Sequence, residues 1–316
     1  MAAGPSFLPP SAVSPAGSLL LAGPTGVGKS EIALELAERL GGEIVSVDSM
    51  QVYRGLDIGT AKASSADRAR VPHHLIDVVD MTEPFDAAQF VRLARLAVAD
   101  IQSRGRVPIL CGGTGLYFKA FLEGLGKAPP VDAELRAVLR STPLPDLLHE
   151  LAERDPATYQ RIDRKNARRV IRAVAVIRQT GKPFSAQRAN WAPSPLDPCS
   201  PSLHFGFARS AADLHQRISD RIDAMFRQGW VAETERLLGL GLAQNETAMQ
   251  ALGYRQIVEH LRGERSLAET IDRVKARTRR FAKRQMTWFR RQLQLSWINL
   301  EPESSAAAVA KSIANL

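Results

Sequence analysis

A lysine and a hydroxyl lie side by side at the end of the stretch Gly23-Pro24-Thr25-Gly26-Val27-Gly28-Lys29-Ser30. The spacing is that of a phosphate-cradling loop, in which glycines let the backbone wrap an anion and successive N–H groups point inward. Lys29 would bring a full positive charge to the terminal phosphate, and Ser30 a hydroxyl to Mg²⁺. The flanks suit the motif: "SLLLA" (18–22) reads as a buried strand, and Ile32, Leu36 and Leu40 recur at helical spacing after the loop. The motif names no reaction, because such a cradle serves kinases, nucleotide switches and transferases that release diphosphate.

Other residues narrow the choice. Asp48 follows a second apolar run, where a carboxylate could ligate Mg²⁺ through water, take a proton from a nucleophile, or cap its own turn. Thr114 in "GGTG" (112–115) and Thr25 in the phosphate loop carry hydroxyls on glycine-flanked turns, where they could meet a ligand or bond local backbone. The apolar strand 107–111 runs into Cys-Gly-Gly where an ATPase often places an Asp, which disfavours ATP hydrolysis. His73 and His74 lack Cys or His partners at zinc spacing.

The elements that would hold these residues alternate between strand and helix. Strands are expected at 18–22, from 43 to Asp48, at 74–80, at 106–111 and at 203–208, with a helix over 86–103 and others between. Short connections of this kind give a parallel sheet wound on both faces, an α/β architecture of P-loop NTPase-like type. Ligands bind beyond the carboxyl ends of such strands, where the phosphate loop, Asp48 and "GGTG" would meet. Residues 126–200 read as a helical insertion closed by the Pro-rich linker 190–202. The core comprises 18–125 and 201–316, its later part mostly helical. Residues 1–17, with four prolines and no Lys or Arg, read as a disordered tail rather than a targeting segment.

Charge placement points to a partner. The net charge is +9, and residues 161–188 hold nine Lys/Arg against one acid, while 273–291 hold nine and none. Blocks so one-sided repel themselves unless a polyanion, usually nucleic acid, faces them. Arg273, Arg277, Arg280, Arg284 and Arg291 fall on one helix face beside Val274, Phe281 and Trp288, an apolar stripe that could be core or could stack on bases. Two cysteines, Cys111 and Cys199, build neither a disulfide framework nor a metal quartet, which fits a reducing cytoplasm. No run is long enough to span a membrane.

Taken in order, "GPTGVGKS", "VDSMQVYRGLDIGTAK", "PHHLID", "GGTGLYFKAFLEGL", "NARRVIRA", "ALGYRQI" and "AKRQMTWFRR" resemble the bacterial tRNA dimethylallyltransferases over residues 18 to 293. The resemblance implies transfer of the five-carbon group of dimethylallyl diphosphate to the exocyclic amine of the adenosine 3′ to the anticodon, in tRNAs reading codons that begin with U. It makes Asp48 the base, sets Thr25, Thr114 and Arg136 at the reacting centre, and gives the diphosphate to Gly23 through Ser30, with Mg²⁺ at Ser30. It implies contacts to the tRNA anticodon stem-loop from Asp48, Ser49, Met50 and Gln51, from Arg168, Arg169, Val170, Ile171 and Arg172, and from Gln250, Ala251, Leu252, Gly253, Tyr254 and Arg255. Met50 and Gln51 stand where many relatives have a small residue and Leu. The implied protein is a cytoplasmic monomer. The alternatives are a relative that prenylates free adenine nucleotides, a P-loop small-molecule kinase, and a nucleotide-gated RNA-binding protein without transfer chemistry.

Overall fold

Leu19–Ala22 (β1), Glu43–Val47 (β2) and Pro108–Gly112 (β4) are buried along their whole length, as apolar runs in a doubly covered parallel sheet must be. With His73–His74 (β3), His204–Ala208 (β5) and Ser296–Asn299 (β6) they form one six-stranded sheet in the order β3-β2-β4-β1-β5-β6. Every pairing is parallel, with Leu21 opposite Cys111 on one side and Phe205 on the other. Lys29–Leu40 (α1), Ser65–Arg70 (α2) and Ala87–Ser103 (α3) connect the first four strands, and Gly115–Glu123 (α4) follows β4. The computed structural model describes residues 18–189 and 203–316; the expected tail, the 190–202 linker and Cys199 lie outside them.

Order along the sheet explains where a ligand can bind. The chain leaves β1 toward β2 on one side, and β5 pairs with β1 on the other, so the strand order reverses at β1. Loops after β1, β2 and β4 open into the crevice at that reversal. The expectation of a parallel, doubly wound α/β sheet holds. One strand was overdrawn. The strand expected at 74–80 is confined to His73–His74, because Leu75 (φ 61°) and Asp77 (φ 57°) turn left-handed. The Asp77 carboxylate is held there by Lys62 and by Arg68 at 2.8 Å, and the segment then pairs with the loop after β2 in an isolated Tyr53–Val79 bridge outside the sheet.

The chain divides into two compact units, the second within Glu123–Ser194. In that unit Ala133–Ser141 (α5), Leu144–Arg154 (α6), Pro156–Arg161 (α7) and Ala167–Thr180 (α8) enclose a core that includes Leu139, Leu147, Leu151, Val170, Val174 and Ile177. Asp155, which is 2 % exposed, caps α7 through Thr158 and binds both the amide and hydroxyl of Ser185, fixing the return of the chain.

The larger unit continues after β5 as Ala211–Arg227 (α9), Trp230–Gly239 (α10), Tyr254–Leu261 (α11), Leu267–Gln292 (α12) and Ala306–Ala314 (α13). Helix α12 starts on a Ser266–Glu269 capping box and runs 26 residues. It buries Thr270, Val274, Ala282, Gln285 and Phe289, leaving the arginine face outward. Among the described residues no helix is long and apolar enough to cross a membrane.

Candidate active site

The phosphate loop joins β1 to α1 through Gly26 (φ 82°) and Gly28 (φ 103°), conformations that cost a residue with a Cβ atom dearly. Gly28 is also the N-cap of α1 and has no side chain to bond the first amides, so those N–H groups stay available to an anion. Lys29 folds back onto its own loop and donates to the Pro24 carbonyl at 3.0 Å. Burial pulls its ammonium below the ordinary lysine value, with the Arg221 charge acting the same way against Cys111 and Asp48. An anion held in the loop would act the other way, favouring the charged ammonium. Ser30 is exposed at the lip of the crevice.

Arg217 and Arg221 of α9, and Arg209 two residues before that helix, face the loop or the crevice beside it, and nothing in the phosphate motif announced them. Arg209 donates to the Val27 carbonyl at 2.9 Å and pairs with Asp213 at 2.7 Å. Arg217 donates to the Gly26 carbonyl at 3.0 Å. Arg221, one helical turn beyond Arg217, lines the crevice and has the charges of Asp48 and Glu31 opposing its desolvation. The sequence signal was three arginines spaced eight and four apart, at 209, 217 and 221, beside the buried stripe Leu214, Ile218, Ile222 and Met225.

Gln285 of α12 ties two loops together. Its Oε1 accepts from the Thr25 amide at 3.0 Å and its Nε2 donates to the Gly113 carbonyl at 2.8 Å. Thr114 Oγ1 accepts from the Ser49 amide at 3.1 Å, which leaves the threonine O–H to donate into the crevice. Asp48 splits its duties. Oδ1 accepts from the amides of Met50 (2.8 Å) and Gln51 (3.3 Å), the turn-capping role, while Oδ2 takes no hydrogen bond among the described residues. Capping and chemistry are therefore compatible in one carboxylate.

Thr25, Lys29, Ser30, Asp48, Ser49, Met50, Gln51 and Thr114 all line one cavity of about 560 Å³, which extends past Gln250, Ala251, Leu252 and Arg255 to Arg277 and Arg284. Cys111 forms part of its floor, and burial pushes that thiol up to about 11, so it is neutral filler rather than a nucleophile. Arg273, Arg277, Arg280 and Arg284 with Leu252 line a second cavity of about 450 Å³. Half-buried Phe281 lines the first cavity with the Arg284 guanidinium 5.7 Å from its ring centre, whereas Trp288 packs on Gly115.

Several residues expected to touch RNA do other work in the fold. The Gln51 carboxamide is fully engaged, accepting from Ser46 at 2.8 Å and donating to the carbonyls of Thr60 and Ala61. Ala251, Gly253 and Tyr254 are buried, while Gln250 and Arg255 are exposed and Leu252 is half-buried. In the helical unit Arg168 and Arg169 are exposed, Ile171 is half-buried and Val170 is core. Arg172 donates to the Pro129 carbonyl at 2.9 Å, and Arg136 stands exposed on α5. Among the described residues no cluster of three or more His, Cys, Asp or Glu could hold a metal by itself.

Comparison with known proteins follows this geometry. Residues 51–292 match the IPP transferase family. The chain belongs to that family. It is 46% identical over 294 residues to tRNA dimethylallyltransferase 1 of Trichlorobacter lovleyi, across 91% of this chain and 95% of the relative. The crystal structure of the full-length tRNA isopentenylpyrophosphate transferase from Bacillus halodurans superposes with a TM-score of 0.66 at 36% identity, over 94% of this chain and 95% of that one. A eukaryotic dimethylallyltransferase, crystallised in snapshots of its action on tRNA, gives a TM-score of 0.74 at 26% identity over 94% and 78%. The family match begins after the phosphate loop and Asp48, whose place in the crevice rests on the geometry described above.

Proposed function

We propose that the protein transfers the dimethylallyl group of dimethylallyl diphosphate to the exocyclic N6 amine of the adenosine 3′ to the anticodon, in tRNAs reading codons that begin with U, and releases diphosphate. One observation carries this reading: an anion cradle, a carboxylate with a spare oxygen and an arginine-lined mouth share one crevice. The curated relatives, named as tRNA dimethylallyltransferases, favour RNA over a free nucleotide or a kinase substrate.

The chemistry follows from the groups in place. The adenine amine is a weak nucleophile, its lone pair delocalised into the ring, and needs a base as the new C–N bond forms. Asp48 Oδ2 takes that proton. As the allylic C–O bond breaks, its electron pair passes to the diphosphate, where Lys29, the loop amides, Arg221 and the Thr25 and Thr114 hydroxyls meet the growing charge. Arg209 and Arg217 hold the loop carbonyls away so that amides, not oxygens, face the anion. The exposed Ser30 hydroxyl at the lip of the crevice would be the protein's ligand to Mg²⁺ bound together with the diphosphate. Bound there, Mg²⁺ would neutralise charge on the leaving diphosphate.

The base must leave its stack, at a cost of a few kcal/mol that contacts elsewhere on the RNA must offset. Arg168 and Arg169 of α8 and the α12 arginines supply cations for those contacts. The protein works as a cytoplasmic monomer in this reading. The test is transfer from labelled dimethylallyl diphosphate with Mg²⁺ to an unmodified anticodon stem-loop carrying A-A-A, set against free AMP. Label should reach the stem-loop alone and be lost in Asp48→Asn. Label on AMP, or consumption of ATP without transfer, would overturn the reading.

A further inference from the structure

The crevice has two walls that are distant in sequence, one from Gly59–Ala61 and the other from Met249–Gln256. Both rest on the first turn of α10. The buried Glu233 carboxylate accepts the backbone amides of Asp57 (3.2 Å), Ile58 (2.8 Å) and Gly59 (3.4 Å), and also the Tyr254 hydroxyl at 2.7 Å. Four donors on one carboxylate use the whole acceptor capacity of its two oxygens. Beside it the Trp230 ring, 2 % exposed, lies between two glycines: a Cβ on Gly59 would stand 2.2 Å from Nε1, and one on Gly253 2.0 Å from the far ring edge. Neither wall can move toward Trp230, and neither can leave Glu233 without giving up hydrogen bonds to its buried carboxylate.

The first wall is also braced from behind. Lys62, its side chain 2 % exposed, binds Asp57 at 2.8 Å and reaches Asp77, and Gln51 holds the carbonyls of Thr60 and Ala61. All three non-glycine residues with left-handed backbone among the described residues, Ala61, Leu75 and Asp77, lie in this braced region. Strain kept in place by so many bonds marks a segment whose shape matters.

We propose that Glu233 is a positioning residue for the transfer reaction: it couples the two walls through Tyr254 and the 57–59 amides, and so fixes the slot that admits the RNA base. The inference rests on the RNA-prenylation reading above. It separates the two substrates, because the phosphate loop, Arg209, Arg217 and Gln285 make no bond to Glu233 or Tyr254.

Two variants test it. Glu233→Gln keeps the shape but presents one acceptor oxygen and an NH₂ to four donors. Tyr254→Phe removes a single hydroxyl that is fully buried and so meets no RNA directly. Hydrogen exchange should quicken in Tyr254→Phe at the amides of Asp57, Ile58 and Gly59, across the slot from the substitution. In both variants KM for the anticodon stem-loop should rise about tenfold, a change equivalent to ~1.4 kcal/mol, with KM for dimethylallyl diphosphate unchanged. Exchange confined to the neighbours of residue 254, or the two KM values rising together, would overturn the proposal. Should Glu233→Gln fail to fold, Tyr254→Phe alone decides. Should the wild type fail to prenylate the stem-loop, the functional reading falls, and the exchange experiment still judges the coupling.

Discussion

Gln285 shows how a neutral side chain can organise a charged site. It points its oxygen at one loop and its NH₂ at another, both lining the crevice, and it is 8 % exposed. Gln285→Leu fills nearly the same space and strands the Thr25 amide and the Gly113 carbonyl. Each buried orphan costs ~1–3 kcal/mol, so a fall in Tm of several degrees is expected by thermal unfolding. A diphosphate can recapture the Thr25 amide but not the Gly113 carbonyl. Saturating donor should therefore restore part of the lost stability, beyond the stabilisation it gives the wild type. Equal stabilisation of both proteins would show that the Thr25 amide is not part of the anion cradle. No reading of the sequence pointed to Gln285, since a glutamine inside an arginine-rich helix carries no pattern of its own.

At the scale of elements, β2 joins the two ends of the sheet's chemistry. Its carboxyl end delivers Asp48, and its amino end buries Glu43, which is 1 % exposed and meets Arg104 from the end of α3, His74 at 2.7 Å and Arg106 at 3.5 Å. Burial alone would push the Glu43 carboxyl up, but hydrogen bonds from Arg104 and His74 outweigh it and hold it below 4.5. A carboxylate depressed on folding contributes stability that is fully present above its unfolded value and lost as pH falls through its folded one. The wild type should therefore exceed Glu43→Gln in Tm at neutral pH, with the gap closing as pH drops below about 4.5. A gap that stays constant with pH would mean that packing, not ionisation, sets the difference. The strand run and the phosphate loop were legible because parallel strands buried on both faces must be apolar throughout and the loop must use glycine. Strand β3 was misread because an alternating apolar run says nothing of the Lys62 and Arg68 cations that bend it at Asp77. Strand β6 and helix α13 went unread. Ser296–Asn299 is four residues at a sheet edge with none of them buried, and α13 shows its meaning only where Ala310 and Ile313 pack into the core.

Over the whole molecule the excess charge does one job that no single contact reveals. The +9 net charge is concentrated, and in the larger unit it lies along α12, where Arg273, Arg277, Arg280 and Arg284 surround a cavity that shares Leu252, Arg277 and Arg284 with the reaction crevice. Ion pairs elsewhere neutralise basic residues; Lys275, for example, is paired with Asp223 at 2.7 Å. Arg273 and Arg280 carry no ion pair among the described residues, and both line the second cavity rather than the reaction crevice. If they neutralise RNA phosphates, each releases counterions on binding, and the logarithm of affinity falls with that of salt by roughly 0.7 to 0.9 per contact. The double variant Arg273→Gln, Arg280→Gln should therefore flatten the salt slope of stem-loop binding by about 1.5 and weaken affinity most at low salt. The single-turnover rate at saturating RNA should be unchanged, since neither side chain lines the crevice that holds Asp48 and Lys29. A slope equal to the wild type's would assign the RNA path to another face, and a lost single-turnover rate would make these arginines part of the reaction rather than of the approach to it.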